Sequence, residues 1–232
     1  MRKLFRLIFV KIPLAIVLLS LVWVVALKIL PVVGTPLMLR RMAEFSEDKD
    51  FKTRYEWVSL DKISPYMMKT VIASEDNLFA THNGFALEEV RKVYEAHILK
   101  GKKLRGCSTI SQQTAKNVFT SGRATWLRKG AETYFTFLIE KIWGKERIME
   151  VYLNVAEMGP GVYGIEAAAK YYWNKSADKL TLNECALLTA CFPDPLHRNP
   201  AKPTRYLNKR SKAIISLTRK IGYPDWISGR KN

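Results

Sequence analysis

Apolar positions follow two regimes along the chain. From Ile12 to Val33 they run almost unbroken, with Lys28 the one charge, whereas beyond residue 60 they recur at helical spacing between polar faces. The first run has no amphipathic period. Its 22 residues make a helix of about 33 Å at ~1.5 Å per residue, enough to cross a hydrocarbon core. Pro13 falls in the first turn, where its missing N–H is tolerated, and Lys28 lies near enough to the far end for its stem to reach the interface. The later segments read as a succession of helices. Ser64-Pro65 supplies a cap and a first-turn proline for Pro65–Ser74. Leu87, Val90, Tyr94 and Ile98 share one face across Ala86–Leu99, and Ser108 is placed to cap a helix through Val118. Leu127, Ala131, Phe135, Leu138 and Ile142 form a stripe that ends at Gly144. Lys145–Met158, Gly164–Trp173, Cys185–Phe192 behind the capping box Thr181 to Glu184, and Tyr206–Ile221 complete the set. No alternating segment is long enough for a convincing strand. The expectation is a mainly α chain: a basic flank over 1–11, a transmembrane anchor over 12–33, a connector over 34–60 and one domain over 61–232.

Composition narrows the partners. Hydrophobic residues are 48% and charged residues 25% of 232, the profile of a folded protein, with three Cys too few for a disulfide-stapled scaffold. The formal charge of +17 calls for polyanionic company: nucleic acid, an anionic bilayer or a phosphorylated substrate. Position chooses among these. Arg2, Lys3, Arg6 and Lys11 precede the apolar run without an acid, so the N-terminus is expected in the cytoplasm and everything after Val33 outside. A cleaved signal peptide is the rival, but the run is too long and Val32-Val33-Gly34-Thr35-Pro36 offers no small-x-small site. An external domain on a single-pass inner-membrane anchor makes nucleic acid an unsuitable partner. The rest of the positive charge concentrates in residues 91–129 and in the tail from Leu196, each with ten basic groups against one acid. That C-terminal helix is expected to face the bilayer. Cys107, Cys185 and Cys191 read as small apolar residues rather than a bridge.

Three polar clusters carry candidate chemistry. In the first, Glu75 and Asp76 end an apolar helix and are followed by Phe79, His82 and Gly84. A carboxyl beside apolar surface has its pKa raised toward the range useful for proton transfer, though a solvated acid pair fits the same spacing. The second runs from Gly106 through Ser108, Thr109, Gln112, Gln113, Lys116 and Asn117. Here a helix start presents free N–H groups, and amides three and four apart share one face, as sugar and phosphate oxygens require. Arg123 and then Arg128, Lys129 and Glu132 form the third, which an ordinary surface ion pair also explains.

Taken together these residues have a recognisable form. The chain resembles the peptidoglycan glycosyltransferases of glycosyltransferase family 51, which polymerise lipid II. The resemblance rests on Glu75-Asp-x-x-Phe79-x-x-His82-x-Gly84, Gly106-x-Ser108-Thr109-Ile110-x-Gln112-Gln113-x-x-Lys116-Asn117, Arg128-Lys129-x-x-Glu132 and Lys145-x-x-Ile148-x-Glu150-x-Tyr152-Leu153-Asn154. Gly161-x-Tyr163-Gly164-Ile165-Glu166-Ala167-Ala168 and Phe192-Pro193-Asp194-Pro195 follow, so it covers about residues 60 to 200. With no transpeptidase segment before Asn232, the expectation is a monofunctional member rather than a bifunctional penicillin-binding protein.

The resemblance implies a lysozyme-like fold with a larger lobe and a smaller, membrane-facing lobe. It implies attack of an acceptor sugar 4-hydroxyl on the donor C1, expelling undecaprenyl pyrophosphate with inversion and leaving a β-1,4 link. Glu75 is then the base and Glu132 the second carboxylate, which organises the donor site or a divalent ion. Lys116, Arg123, Arg128 and Lys129 would meet the donor phosphates. Asp76, Phe79, His82, Ser108, Thr109, Gln112, Gln113 and Asn117 would bind and position substrate. No cofactor is firmly required, and Mg or Mn at the pyrophosphate is left open. Partners are lipid II, the growing strand, membrane lipids and other cell-wall synthesis or division proteins. Residues 85–105 match a mobile segment whose apolar face would dip into lipid while Lys100, Lys102, Lys103 and Arg105 meet headgroups. A lysozyme-like hydrolase has no use for so many cations beside its acid. A non-enzymatic anchor protein explains the charge but not the amide-rich helix.

Overall fold

The computed structural model describes residues 5–100, 108–120 and 125–229. The first helix, α1, spans Leu7–Leu27, so it starts before Ile12 and stops before Val33. Lys28 caps it, and the chain then turns through Pro31, whose ring ends the helical register. Most of α1 is exposed apolar surface, while Val24 and Val32 are buried in the main core.

A second helix, α2 (Pro36–Glu44), follows at once inside what the apolar pattern gives as a connector. Thr35 caps it by accepting the Met38 N–H, and Pro36 takes the first helical position. The same cap-plus-proline signal stands at Ser64-Pro65, where α3 (Pro65–Glu75) begins. There the Ser64 hydroxyl donates instead to the Leu180 carbonyl, tying α3 to a distant turn.

Helix α4 (Leu87–Lys100) exposes Leu87, Val90, Tyr94, Ile98 and Leu99, so its apolar stripe is not a core face. Helix α5 (Ile110–Phe119) is capped by Thr109, not Ser108: the Thr109 hydroxyl takes the Gln112 N–H, and the Gln112 side chain takes the Thr109 N–H. Loss of such a cap costs about 1 kcal/mol. Helices α6 (Trp126–Ile142) and α7 (Lys145–Val155) pack against α5, with Gly144 at φ +79° turning the chain between them.

Strands are present but short. The expected helix through Met158 stops at Val155, because residues 157–159 are extended to pair with the chain returning from a turn at Gly161, φ +68°. The small sheet has order β1-β3-β2, with β1 (Arg54–Tyr55) parallel to β3 (Val162–Tyr163) and β2 (Glu157–Gly159) antiparallel to it. Helix α8 (Ile165–Trp173) follows, and α9 (Leu182–Cys191) is opened by the Thr181–Glu184 capping box. Helices α10 (Arg205–Thr218) and α11 (Asp225–Ser228) close the fold.

The core gathers Met67, Met68, Val71 and Ile72 of α3 with Ile110, Ile139, Ile148 and Tyr152, all at 2% exposure or less. Each such side chain contributes ~1.5–3 kcal/mol of burial. A satellite cluster of Ala186, Leu187, Ala190, Leu207 and Ile214 joins α9 to α10. The C-terminal basic helix is therefore docked on the domain through its Leu207 and Ile214 edge. Cys185 and Cys191 are free and buried, and burial pushes the Cys191 thiol up to about 11. Cys107 lies outside the described residues.

Candidate active site

Helix α3 ends on Glu75, whose carboxylate is half-buried between α3 and α5. The Gln113 side-chain N–H donates to Glu75 Oε2 at 3.4 Å, and the Ser74 hydroxyl lies 3.3 Å from Oε1. Burial raises the Glu75 pKa above the usual carboxylate value, with Gln113, Ser74 and the positive charge of Arg210 opposing the rise and Asp76 adding to it. The buried Tyr152 hydroxyl donates to Gln113 Oε1 at 3.2 Å, which fixes the amide with its N–H toward Glu75.

Beside this pair opens a cavity of about 320 Å³. Gln113, Lys116, Asn117 and Thr120 line one wall at positions that share a face of α5. Glu75 stands one hydrogen bond behind that wall, through Gln113. The other walls bring Arg128 from α6, Phe192 and Pro195 from the end of α9, and Arg40 and Arg41 from α2. Lys116 reaches the open mouth of the cavity, but the protein around its stem lowers its pKa by desolvation. Glu132 opposes that fall, and Arg128, Lys129 and Arg40 reinforce it. Among the described residues Lys116 makes no ion pair.

Glu132 is buried at 4% exposure, with Arg128 at 3.0 Å and Lys129 at 3.3 Å. Neither Glu132 Oε1 nor Arg128 Nε, both buried, has a hydrogen-bond partner. The carboxylate thus holds two cations, of which Arg128 lines the cavity.

A protein-family model described as Transglycosylase matches residues 40–219. The chain belongs to the transglycosylase family. It is 53% identical over 195 residues to the biosynthetic peptidoglycan transglycosylase of Bacteroides thetaiotaomicron, covering 84% of this chain and 78% of that protein. The same name belongs to a Shewanella oneidensis protein, 48% identical over 74% of this chain and 73% of its own length. A third, from Caulobacter vibrioides, is 44% identical over 98% of both chains. This transglycosylase is therefore a peptidoglycan glycosyltransferase enzyme of cell-wall biosynthesis, mainly helical with a lysozyme-like domain, and bears one apolar N-terminal helix suited to membrane anchoring.

Within this transglycosylase the expected site residues divide. Gln113, Lys116, Asn117 and Arg128 line the cavity, with Glu75, Glu132 and Lys129 directly behind them. Others act on the framework. Asp76 accepts from His82 Nε2 at 2.9 Å and from the Ile110 N–H at 2.9 Å, while His82 Nδ1 takes the Gly84 N–H. Thr109 donates to the Gly84 carbonyl at 2.7 Å, and Gln112 is spent on the cap. These bonds pin the loop after Glu75 to the start of α5, which holds the carboxylate beside Gln113. Phe79 is fully buried under the Lys145 ammonium and lies in the core rather than in the cavity. Ser108 is exposed, with its carbonyl 3.4 Å from Gln113 Nε2. Arg123 lies outside the described residues.

Sequence reasoning missed Arg40, Arg41 and Arg210. The first two ride on α2, which the Thr35-Pro36 signal could have revealed. Arg210 reaches Ser74 Oγ at 3.2 Å from α10, a contact between residues 136 apart that no local pattern announces. Among the described residues no group of three or more His, Cys, Asp or Glu could hold a metal ion.

Proposed function

We propose that the enzyme polymerises lipid II. The acceptor sugar 4-hydroxyl attacks the donor C1, Glu75 takes the hydroxyl proton, and the bond from C1 to the pyrophosphate oxygen breaks with inversion. Undecaprenyl pyrophosphate leaves and the strand grows by a β-1,4 link. The observation that carries this reading is the order along α5. Gln113 presents Glu75, and Lys116 follows one turn on, about 5 Å along the helix, beside Arg128. A base at one end and cations at the other suit a reaction in which a poor nucleophile must lose a proton and a leaving group must gain negative charge.

Lys116 and Arg128 then meet the phosphates, and Glu132 keeps Arg128 and Lys129 aimed there. A divalent cation is an addition rather than a requirement in this reading. Glu132 is already held by two cations, so a metal would draw its other ligands from the substrate's phosphates. In this reading the basic flank before α1 keeps the N-terminus in the cytoplasm, with the domain outside the inner membrane. The exposed stripe of α4, with Trp126 at 94% and Leu127 at 86% exposure, meets lipid where the substrate's prenyl chain enters.

The test is to incubate the purified full chain with lipid II in detergent and read product length, anomeric configuration and released prenyl pyrophosphate. β-Linked polymer with stoichiometric pyrophosphate release is expected. Fragments released from finished cell wall without polymerisation would instead mark a hydrolase.

A further inference from the structure

We propose that Arg40 is a donor-binding residue. With Lys116 and Arg128 it completes a three-cation cradle for the pyrophosphate of the lipid-linked donor, so the segment leaving the anchor belongs to the active site. This rests on the lipid II reading above and assigns a further part of that site.

The two arginines of α2 that line the cavity have different occupations. Arg41 is committed. Its guanidinium lies 2.9 and 3.0 Å from the two oxygens of Glu157 and 2.7 Å from Glu44, which ties α2 to the sheet. Arg40 shares Glu44 at 3.1 Å in an i,i+4 pair whose side chains are 34% and 44% exposed. Arg40 is near enough to Lys116 to depress its ammonium, as Arg128 does from the facing wall. The nearest acids are engaged: Glu132 by Arg128 and Lys129, Glu157 by Arg41. Like charges crowded around one cavity repel, and an anion of matching charge relieves them. Arg128 Nε, buried and without a hydrogen-bond partner, adds a donor for it.

Position gives the cradle its ligand class. Helix α2 starts nine residues after α1 ends at Leu27, so Arg40 is carried at the membrane exit, where a phosphate attached to a prenyl chain must stay. A soluble nucleotide would gain nothing from that placement. Phosphates of either a prenyl pyrophosphate or an anionic phospholipid match the charge, and the first is the leaving group of the proposed reaction.

The test measures undecaprenyl pyrophosphate affinity of the full chain in nonionic detergent, together with lipid II KM and kcat. Arg40→Gln should weaken binding and raise KM about tenfold, the loss expected of one charge-assisted contact, and Arg40→Lys should recover most of it. Glu44→Gln removes the same intrahelical pair, and the Arg41 contact with it, yet should bind no worse than wild type, which separates a ligand role from a helix-stabilising one. Lys212→Gln, an exposed cation on α10, controls for bulk charge. Wild-type affinity in Arg40→Gln, or equal losses in Arg40→Gln and Glu44→Gln, overturns the proposal. An Arg40 effect seen only in vesicles containing phosphatidylglycerol would assign it to a headgroup and overturn it as well. If wild type itself neither binds the prenyl pyrophosphate nor polymerises lipid II, the functional reading fails instead.

Discussion

Glu75 is expensive to ionise where it sits, and in the proposed reaction that cost is the basis of its use. A carboxylate raised in pKa by burial holds a proton more firmly than one in water, so it is a stronger base once ionised. The same shift fixes the sign of its stability effect. Because the folded pKa exceeds the unfolded one, the protonated form favours folding; that contribution is complete below the unfolded value of about 4.3 and lost as pH rises through the folded value. At neutral pH the charged Glu75 therefore destabilises the fold. Glu75→Gln should lower kcat by roughly 10²–10⁴-fold while raising Tm at pH 7. The gain in Tm should shrink toward zero as the pH falls below about 4. Polymerisation assays and thermal melts across pH check both parts. A variant that loses activity and also loses Tm at pH 7 would show that Glu75 supports the fold instead.

Among the elements, α10 shows why part of the site was legible and part was not. The motif on α5 could be read because Gln113, Lys116 and Asn117 lie within one turn of each other, where sequence spacing is spatial spacing. Helix existence was legible for the same reason, since apolar period and caps are local; the Thr181–Glu184 box is where the pattern put it. Contacts between distant elements carry no such signal. Asn154 in the Tyr152-Leu153-Asn154 motif is buried to clasp Val58, accepting its N–H at 2.9 Å and donating to its carbonyl at 2.8 Å. The motif could be recognised, but not the clasp it makes. Likewise α10 reads as a basic surface helix, yet its docked face brings Arg210 to Ser74 beside Glu75. That positive charge lowers a pKa that burial raises. Arg210→Gln should therefore move the acid limb of the pH–rate profile to higher pH, with Tm changed little because the guanidinium is at the helix edge. An unmoved limb would mean that Arg210 does not act on the base.

For the whole molecule, the anchor is built into the domain. Arg147 donates to the Leu27 carbonyl at 2.8 and 3.1 Å and to the Leu30 carbonyl, filling acceptors that the end of α1 leaves open and meeting the negative end of its dipole. Its guanidinium lies 5.0 Å from the Trp57 ring and pairs with Glu150. The Trp143 indole N–H donates to the Val24 carbonyl at 2.7 Å, and Trp23 sets its edge against Phe119 at 5.2 Å. A free linker would let the cavity turn in any direction; these bonds give it one height and one heading relative to α1. With the lipid-linked donor proposed above, the benefit of such a clamp depends on a bilayer, because only there does the donor's height matter. Arg147→Met keeps the packing stem and removes the caps, at a cost to stability of about 1.5–3 kcal/mol for bonds to a charged donor. In proteoliposomes its polymerisation rate should fall several-fold further than in detergent micelles, where donor and enzyme meet without a fixed plane. Rates of wild type and variant in the two settings give the ratio directly. Equal losses in bilayer and micelle would reduce Arg147 to a stabilising contact, whereas a bilayer-specific loss makes the clamp part of how the cavity meets its substrate.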